Sequence, residues 1–350
     1  MNFPEHKSLP TEKLAACFNN TVATYKYYWF LSILQSVELG VLSIQKKQLF
    51  ARMVANAWYT INYFHISFGV ADKLQRAIEN LKVTESLTVD EDRGKVYEVL
   101  ATTKNSNSLS FLEHFDRQVP HWFLSPWFPG RTKSEIYKAS QSYSQKSLYA
   151  VTANEIIINS EWLSYLQTNA RFLKDFCFWN LSLFLQARNP NVPDIPNKLI
   201  KPAARSGLSK QRNQFWDVVL KEVDGVDCIY TGKRLTVGNY AVEHFIPHAF
   251  VSHDLIWNLI PADSSFNSSK SNKLPLFEKY FDPFFSLQKQ AIEIVKTKTP
   301  NSKHLLEYLT IFPDLDEITS LPQNFTKEKF RDRLLPLVTI ASNNGFQFMT

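Results

Sequence analysis

The sequence predicts a mainly α-helical protein with a small α+β unit in its C-terminal half. Glycine contributes only 9 of 350 residues, against an average near ~7%. Few positive-φ turns are then available, which favours helices over a glycine-rich dinucleotide fold. The 27 Phe, 14 Tyr and 8 Trp supply large rings for wide helix interfaces. Three of the nine glycines crowd into residues 224–238, where the texture turns β-prone. A chain of this length exceeds one ordinary core of about 100–200 residues. The expected division is a helical region over 1–205, a compact unit over 206–290, and a helical extension over 291–350 packed on that unit.

Residues 11–83 read as helices. "KLAACFNNTVATYKYYWFLSILQSVELGVL" and "KKQLFARMVANAWYTINYFHISF" are long, apolar and nearly free of Gly and Pro. In "VADKLQRAIENLK", Val70, Leu74, Ala77 and Leu81 share one helical face. The pattern weakens over 84–145, where "ATTKNSNSLS" reads as a polar loop and the three prolines of "VPHWFLSPWFPG" forbid a long helix. The next helix, within 160–190, has Ser160 as its expected N-cap and stops at Asn189-Pro190. "NVPDIPNKL" is an extended connector, and 208–223 forms an amphipathic helix carrying Phe215, Trp216, Val219 and Leu220.

From Asp224 onward, two short β-prone runs, "VDCIYT" and "GNYAVEH", flank the turn-like "GKRLTV" and are expected to pair as a hairpin. A loop follows through "HDLIWNLIP", and a short helix from about Asp263 ends before Pro275. "DPFFSLQKQAIEIVKTK" and "FTKEKFRDRLLPLVTIASNNGF" read as amphipathic helices that pack back on this unit.

Composition narrows the function classes. Cys17, Cys177 and Cys228 form neither a CxxC pair nor an even disulfide framework, which suits a reducing cytoplasm. The N-terminus lacks the basic and apolar regions of a signal peptide. The most apolar stretch, residues 27–45, contains Glu38 and ends at Lys46-Lys47, so a buried helix is expected there and no membrane partner. The motifs GxSxG, GxxxxGK[ST] and GxGxxG do not occur in the sequence. The net charge of +6 points to a polyanionic partner. Between 198 and 212 the chain carries Lys198, Lys201, Arg205, Lys210 and Arg212 with no acid. That run reads either as a solvated linker or as a track for phosphates, the second being favoured by what lies downstream.

The segment "NYAVEHFIPHAFVSHDLIWNLIPADSSFNSSKSNKLP", residues 239–275, concentrates the chemistry. Hydrolysis of a phosphodiester needs an activated water and neutralisation of developing charge. Glu243 and His244 are adjacent at a strand end, so their side chains leave on opposite sides. If the strand end twists, one can hold a metal while the other meets the water. A hard ion such as Mg²⁺ takes oxygen ligands, and the Asn267 amide can supply one. Lys270 follows Asn267 by one helical turn and can neutralise a phosphate. Lys233 and Arg234, in the hairpin turn, are candidate backbone contacts. Pro247 breaks a clean helical pairing of His244 with His248, so neither His248 nor His253 is expected to form a zinc-type HxxxH site.

"VEHFIPHAF", "HDLIWNL" and "FNSSKSNKLP", in that order, resemble the HNH (His-Asn-His, ββα-metal) endonuclease family in its version with Asn at the third position. The resemblance covers about 50 residues and implies an HNH nuclease unit. It makes His244 the general base, Asn258 the brace that holds the imidazole, Glu243 and Asn267 metal ligands, and Lys270 a phosphate contact. One Mg²⁺ or Mn²⁺ is the implied cofactor. Many members staple the unit with two CxxC pairs on zinc. Cys228 has no such partners, so no structural zinc is expected.

The implied function is a divalent-metal-dependent endonuclease hydrolysing DNA, by analogy a bacterial restriction or anti-phage effector. A homodimer is one route to double-strand breaks, and the N-terminal region is where an activator or partner protein would act. Two alternatives remain: a nucleic-acid-binding module with a catalytically silent unit, and an RNase using the same site, since nothing in the motif reads the sugar.

Overall fold

A computed structural model describes residues 3–200, 207–316 and 323–350. The fold is mainly helical, with three small sheets. It divides into two compact units, Met1–Pro190 with Ile195–Lys201, and Asn191–Asp194 with Pro202–Thr350.

The first unit is built around the helices Tyr25–Glu38 and Lys46–Asn62. Trp29, Trp58, Trp127 and Trp162 are fully buried in it, each removing roughly 150–250 Å² from water. Tyr25–Glu38 lies in the stretch weighed as a membrane candidate, and ten of its fourteen residues are buried in this core. Among the described residues no helix is long and apolar enough to cross a membrane.

Several elements of this unit differ from expectation. A three-stranded antiparallel sheet joins β1 (Ser43–Gln45), β2 (Tyr149–Val151) and β3 (Glu155–Ile158), with β3 central. Strands of three or four residues offer too little alternation to be read from sequence. The polar stretch after Thr102 is only partly a loop. Asn105 caps a helix over Ser106–Glu113 by accepting hydrogen bonds from the Asn107 and Ser108 amides. The helix expected in 160–190 is two helices, Ser160–Thr168 and Ala170–Gln186. Asn159, not Ser160, is its N-cap, accepting from the Glu161 amide. Val70 is fully exposed because the neighbouring helix, Lys73–Thr84, begins only after the Asp72 cap.

In the second unit the helical run beginning at Ser209 passes through a π-helical turn, Arg212–Trp216, and ends with Asp217–Glu222. Phe215, Trp216, Val219 and Leu220 are buried. Two hairpin-like pairs follow. β4 (Val226–Asp227) pairs with β5 (Arg234–Leu235), and β6 (Ala241–His244) pairs with β7 (Leu259–Ala262). The expected pairing of "VDCIYT" with "GNYAVEH" is therefore corrected: each run finds a different partner. The long connection between β6 and β7, and Pro261 within β7, hide that pairing from turn-based reasoning. Asp263 caps the next helix, Ser264–Lys270, by accepting from the Ser265 amide.

Gly225 shows why the first hairpin needs glycine. Its φ is +95°, and a Cβ there would sit 2.5 Å from the Leu235 carbonyl oxygen. Both strain and collision act against any side chain. Gly225→Ala is expected to lower stability by about 1–3 kcal/mol, measured as a shift in the urea midpoint. An unchanged midpoint would contradict this account of the turn.

The long helix Phe277–Lys298 and the helix Gln323–Asn343 complete the second unit. Phe245, immediately after β6, stacks on Phe284 with ring centroids 4.1 Å apart, and Phe284 meets Phe330 edge to face. Near the C-terminus, Leu274 and Phe348 form a parallel bridge, and Phe250 packs on Phe346. Residues beyond 290 thus form part of the same core as β6 and β7.

Candidate functional site

The β6–β7 ladder places Glu243 opposite Ile260 and His244 opposite Leu259. As consecutive strand residues they leave on opposite faces, yet both are buried, at 7% and 5% exposure. Each therefore needs a polar partner, because burial without one costs several kcal/mol for a charge.

Lys270 is the partner of Glu243. Its ammonium donates to Glu243 Oε1 at 2.7 Å and to the His244 carbonyl at 2.8 Å. The side chain has no exposed surface, and burial pulls its pKa below the ordinary lysine value, opposed by the Glu243 charge. This corrects the phosphate-contact role expected for Lys270. The ammonium ties the Ser264–Lys270 helix to β6 and has no surface left for a phosphate in this conformation. Asn267, one turn earlier on the same helix, is half-buried.

Asn258 is fully buried and acts on the backbone that follows His244. Its carbonyl accepts from the Phe245 amide at 2.8 Å. Its side-chain oxygen accepts from the Ile246 amide and its Nδ2 donates to the Ile246 carbonyl, both at 2.9 Å. Asn258 thus extends the pairing two residues beyond the strand end. The loop holding Asn258 is in turn held from the C-terminal side. Gln288 Nε2 donates to the Ile256 and Leu259 carbonyls, while Glu307 accepts from the Ile256 amide.

The ring of His244 contacts a different residue. Its Nε2 lies 2.9 Å from Asp254 Oδ1. His248 Nε2 approaches the same oxygen at 3.8 Å, and the two imidazoles stand 5.3 Å apart, edge to face. His253 packs on Trp257, its pKa pushed down to about 4 by burial and then by the neighbouring His244 and His248. It is neutral at physiological pH. Sequence reasoning did not single out Asp254. It lies ten residues after His244 in an irregular loop, where no periodicity links the two. Pro247, which argues only against a zinc-type HxxxH pairing, precedes a short helix, His248–Val251, that turns His248 toward Asp254.

Glu243 and Asn267 are the oxygen donors that could hold a metal. Among the described residues no three His, Cys, Asp or Glu side chains gather as a metal cage. One carboxylate and one amide oxygen match a hard divalent cation that keeps several waters, as Mg²⁺ does. Glu243 Oε1 is paired with the Lys270 ammonium at 2.7 Å, so a cation at this carboxylate would have to share or displace that ion pair.

The expected nucleic-acid contacts divide. Lys210, Lys233 and Arg234 are exposed and Arg212 is half-buried. Arg212 lies over the Tyr240 ring, 4.6 Å from its centroid. Lys233 pairs with Asp263 at 3.4 Å and Arg234 with Asp227 at 3.3 Å, both solvent-facing links of the weak surface kind. Lys198 is fully buried in the first unit, which corrects its expected role as a phosphate contact. Lys201 and Arg205 lie outside the described residues.

Residues 228–276 match the family model described as HNH endonuclease. The match spans the β6–β7 ladder, the Asn258 loop and the Ser264–Lys270 helix, and assigns this segment to that family. No curated protein and no solved structure matches the chain.

Proposed function

We propose, from the HNH endonuclease segment at 228–276, that the protein is a divalent-metal-dependent endonuclease acting on DNA, with His244 as general base. The observation that carries this reading is the arrangement around β6: a buried imidazole and a buried carboxylate on adjacent residues, with an amide-bearing helix packed alongside.

His244 takes a proton from water while the water oxygen bonds to phosphorus and the bond to the leaving sugar oxygen breaks. Asn258 fixes the backbone from which the imidazole projects. Glu243 and Asn267 hold the cation, and Lys270 keeps the Glu243 carboxylate in place when the cation is away. The cation, when bound, neutralises charge that develops on the phosphate and leaving oxygen. Lys210, Arg212, Lys233 and Arg234 supply sequence-independent attraction to the backbone. Mg²⁺ or Mn²⁺ fits the oxygen donors, and defence against foreign DNA is the biological role that such a nuclease with a large helical region suggests. The helical region over 1–205 is then the place for an activator, and the extension over 291–350 supports the nuclease loop.

Metal binding tests the donor assignment separately from cleavage. Mn²⁺ titration followed by electron paramagnetic resonance should show one bound ion in the wild type. Glu243→Gln and Asn267→Ala should each weaken binding by at least ~10-fold. Equal binding by all three proteins would remove both residues from the site. Supercoiled plasmid, single-stranded DNA and RNA, offered in parallel, separate DNase from RNase. Salt-sensitive binding with no cleavage of any of the three would favour the silent binding module.

A further inference from the structure

We infer that Asp254 is a positioning residue that sets the tautomer and orientation of His244; this rests on the nuclease reading only for its effect on rate. A neutral imidazole carries one N–H and one lone pair, and the hydrogen bond made by one nitrogen determines which role the other plays. Asp254 Oδ1, 2.9 Å from His244 Nε2, can only accept when the carboxylate is ionised. The proton is therefore held on Nε2, and Nδ1 keeps the lone pair that receives a proton from water. Asp254 is 30% exposed at the side chain, against 7% for His244. The carboxylate thus retains hydration while the imidazole is enclosed, so the interaction orients the base without burying a second charge.

Asn258 and Glu243 do not perform this task. Asn258 spends both side-chain hydrogen bonds on the Ile246 backbone, and Glu243 is engaged by Lys270. His248 also faces Asp254 Oδ1, at 3.8 Å, a distance beyond direct hydrogen bonding. Asp254 thus stands between two imidazoles and favours the nearer one. The loop from His253 to Asn258 carries both restraints on His244: Asp254 on its ring and Asn258 on the backbone beyond it.

The test reads the ring directly. The ¹⁵N chemical shifts of His244 are measured at neutral pH in EDTA, in wild type, Asp254→Asn and Asp254→Glu. The wild type is expected to show the proton on Nε2. Asp254→Asn, which can present an amide N–H instead, is expected to redistribute the proton toward Nδ1, and Asp254→Glu to restore Nε2–H at least in part. In cleavage, Asp254→Asn is expected to lower kcat by about 10- to 100-fold with KM changed less than twofold, and Asp254→Glu to recover part of the loss. An unchanged tautomer in Asp254→Asn overturns the inference. The NMR result decides it even if the wild type cuts nothing, an outcome that would count against the nuclease reading alone.

Discussion

His244→Ala is expected to lower the rate of metal-supported cleavage by roughly 10²- to 10⁴-fold, with binding to DNA retained. In the proposed mechanism the imidazole takes the proton from the attacking water, and its histidine neighbours are held in other positions. His248 stands 5.3 Å away, ring to ring, and His253 is packed on Trp257. A loss confined to kcat identifies the interaction as one made in the transition state. Single-turnover cleavage with enzyme in excess measures it without interference from product release. A His244→Ala protein that cuts at more than one-tenth of the wild-type rate would place the base elsewhere.

Lys270→Met is expected to destabilise the second unit by about 3–5 kcal/mol, because it strands the Glu243 carboxylate in a buried position without its cation. The lysine side chain has 0% exposure and the glutamate 10%, so solvent replaces the ammonium only in part. The double variant Glu243→Gln, Lys270→Met removes both charges and should recover much of the loss. Urea unfolding monitored by tryptophan fluorescence gives both numbers. A single-variant effect below ~1 kcal/mol would mean that Glu243 is hydrated in solution and that the lysine is not its structural counter-ion.

These expectations show which parts of the molecule could be read from residues alone. The HNH segment was legible because its order and spacing lie within one short contiguous stretch, which the family match at 228–276 covers. The Ser264–Lys270 helix was legible from its Asp263 cap and the proline that follows. The partner of β6 was not, because Leu259–Ala262 contains a proline and is separated by a long loop. Lysine burial was invisible for a different reason. Residue type places lysine at the surface, and only the fold reveals that Lys198 and Lys270 are enclosed. Asp254 escaped notice because its relation to His244 exists only once the loop has closed. In the first unit, the break at Asn169 between two helices lay inside a continuously apolar pattern, which periodicity alone reads as a single helix.

The central claim is that the segment around β6 cuts DNA with a divalent cation and His244. Incubation of supercoiled plasmid with the full chain in Mg²⁺, Mn²⁺ or EDTA, beside His244→Ala, tests it most directly. The account predicts nicked or linear plasmid with either metal, intact plasmid in EDTA, and intact plasmid with His244→Ala. Cleavage that persists in EDTA or in His244→Ala would contradict it.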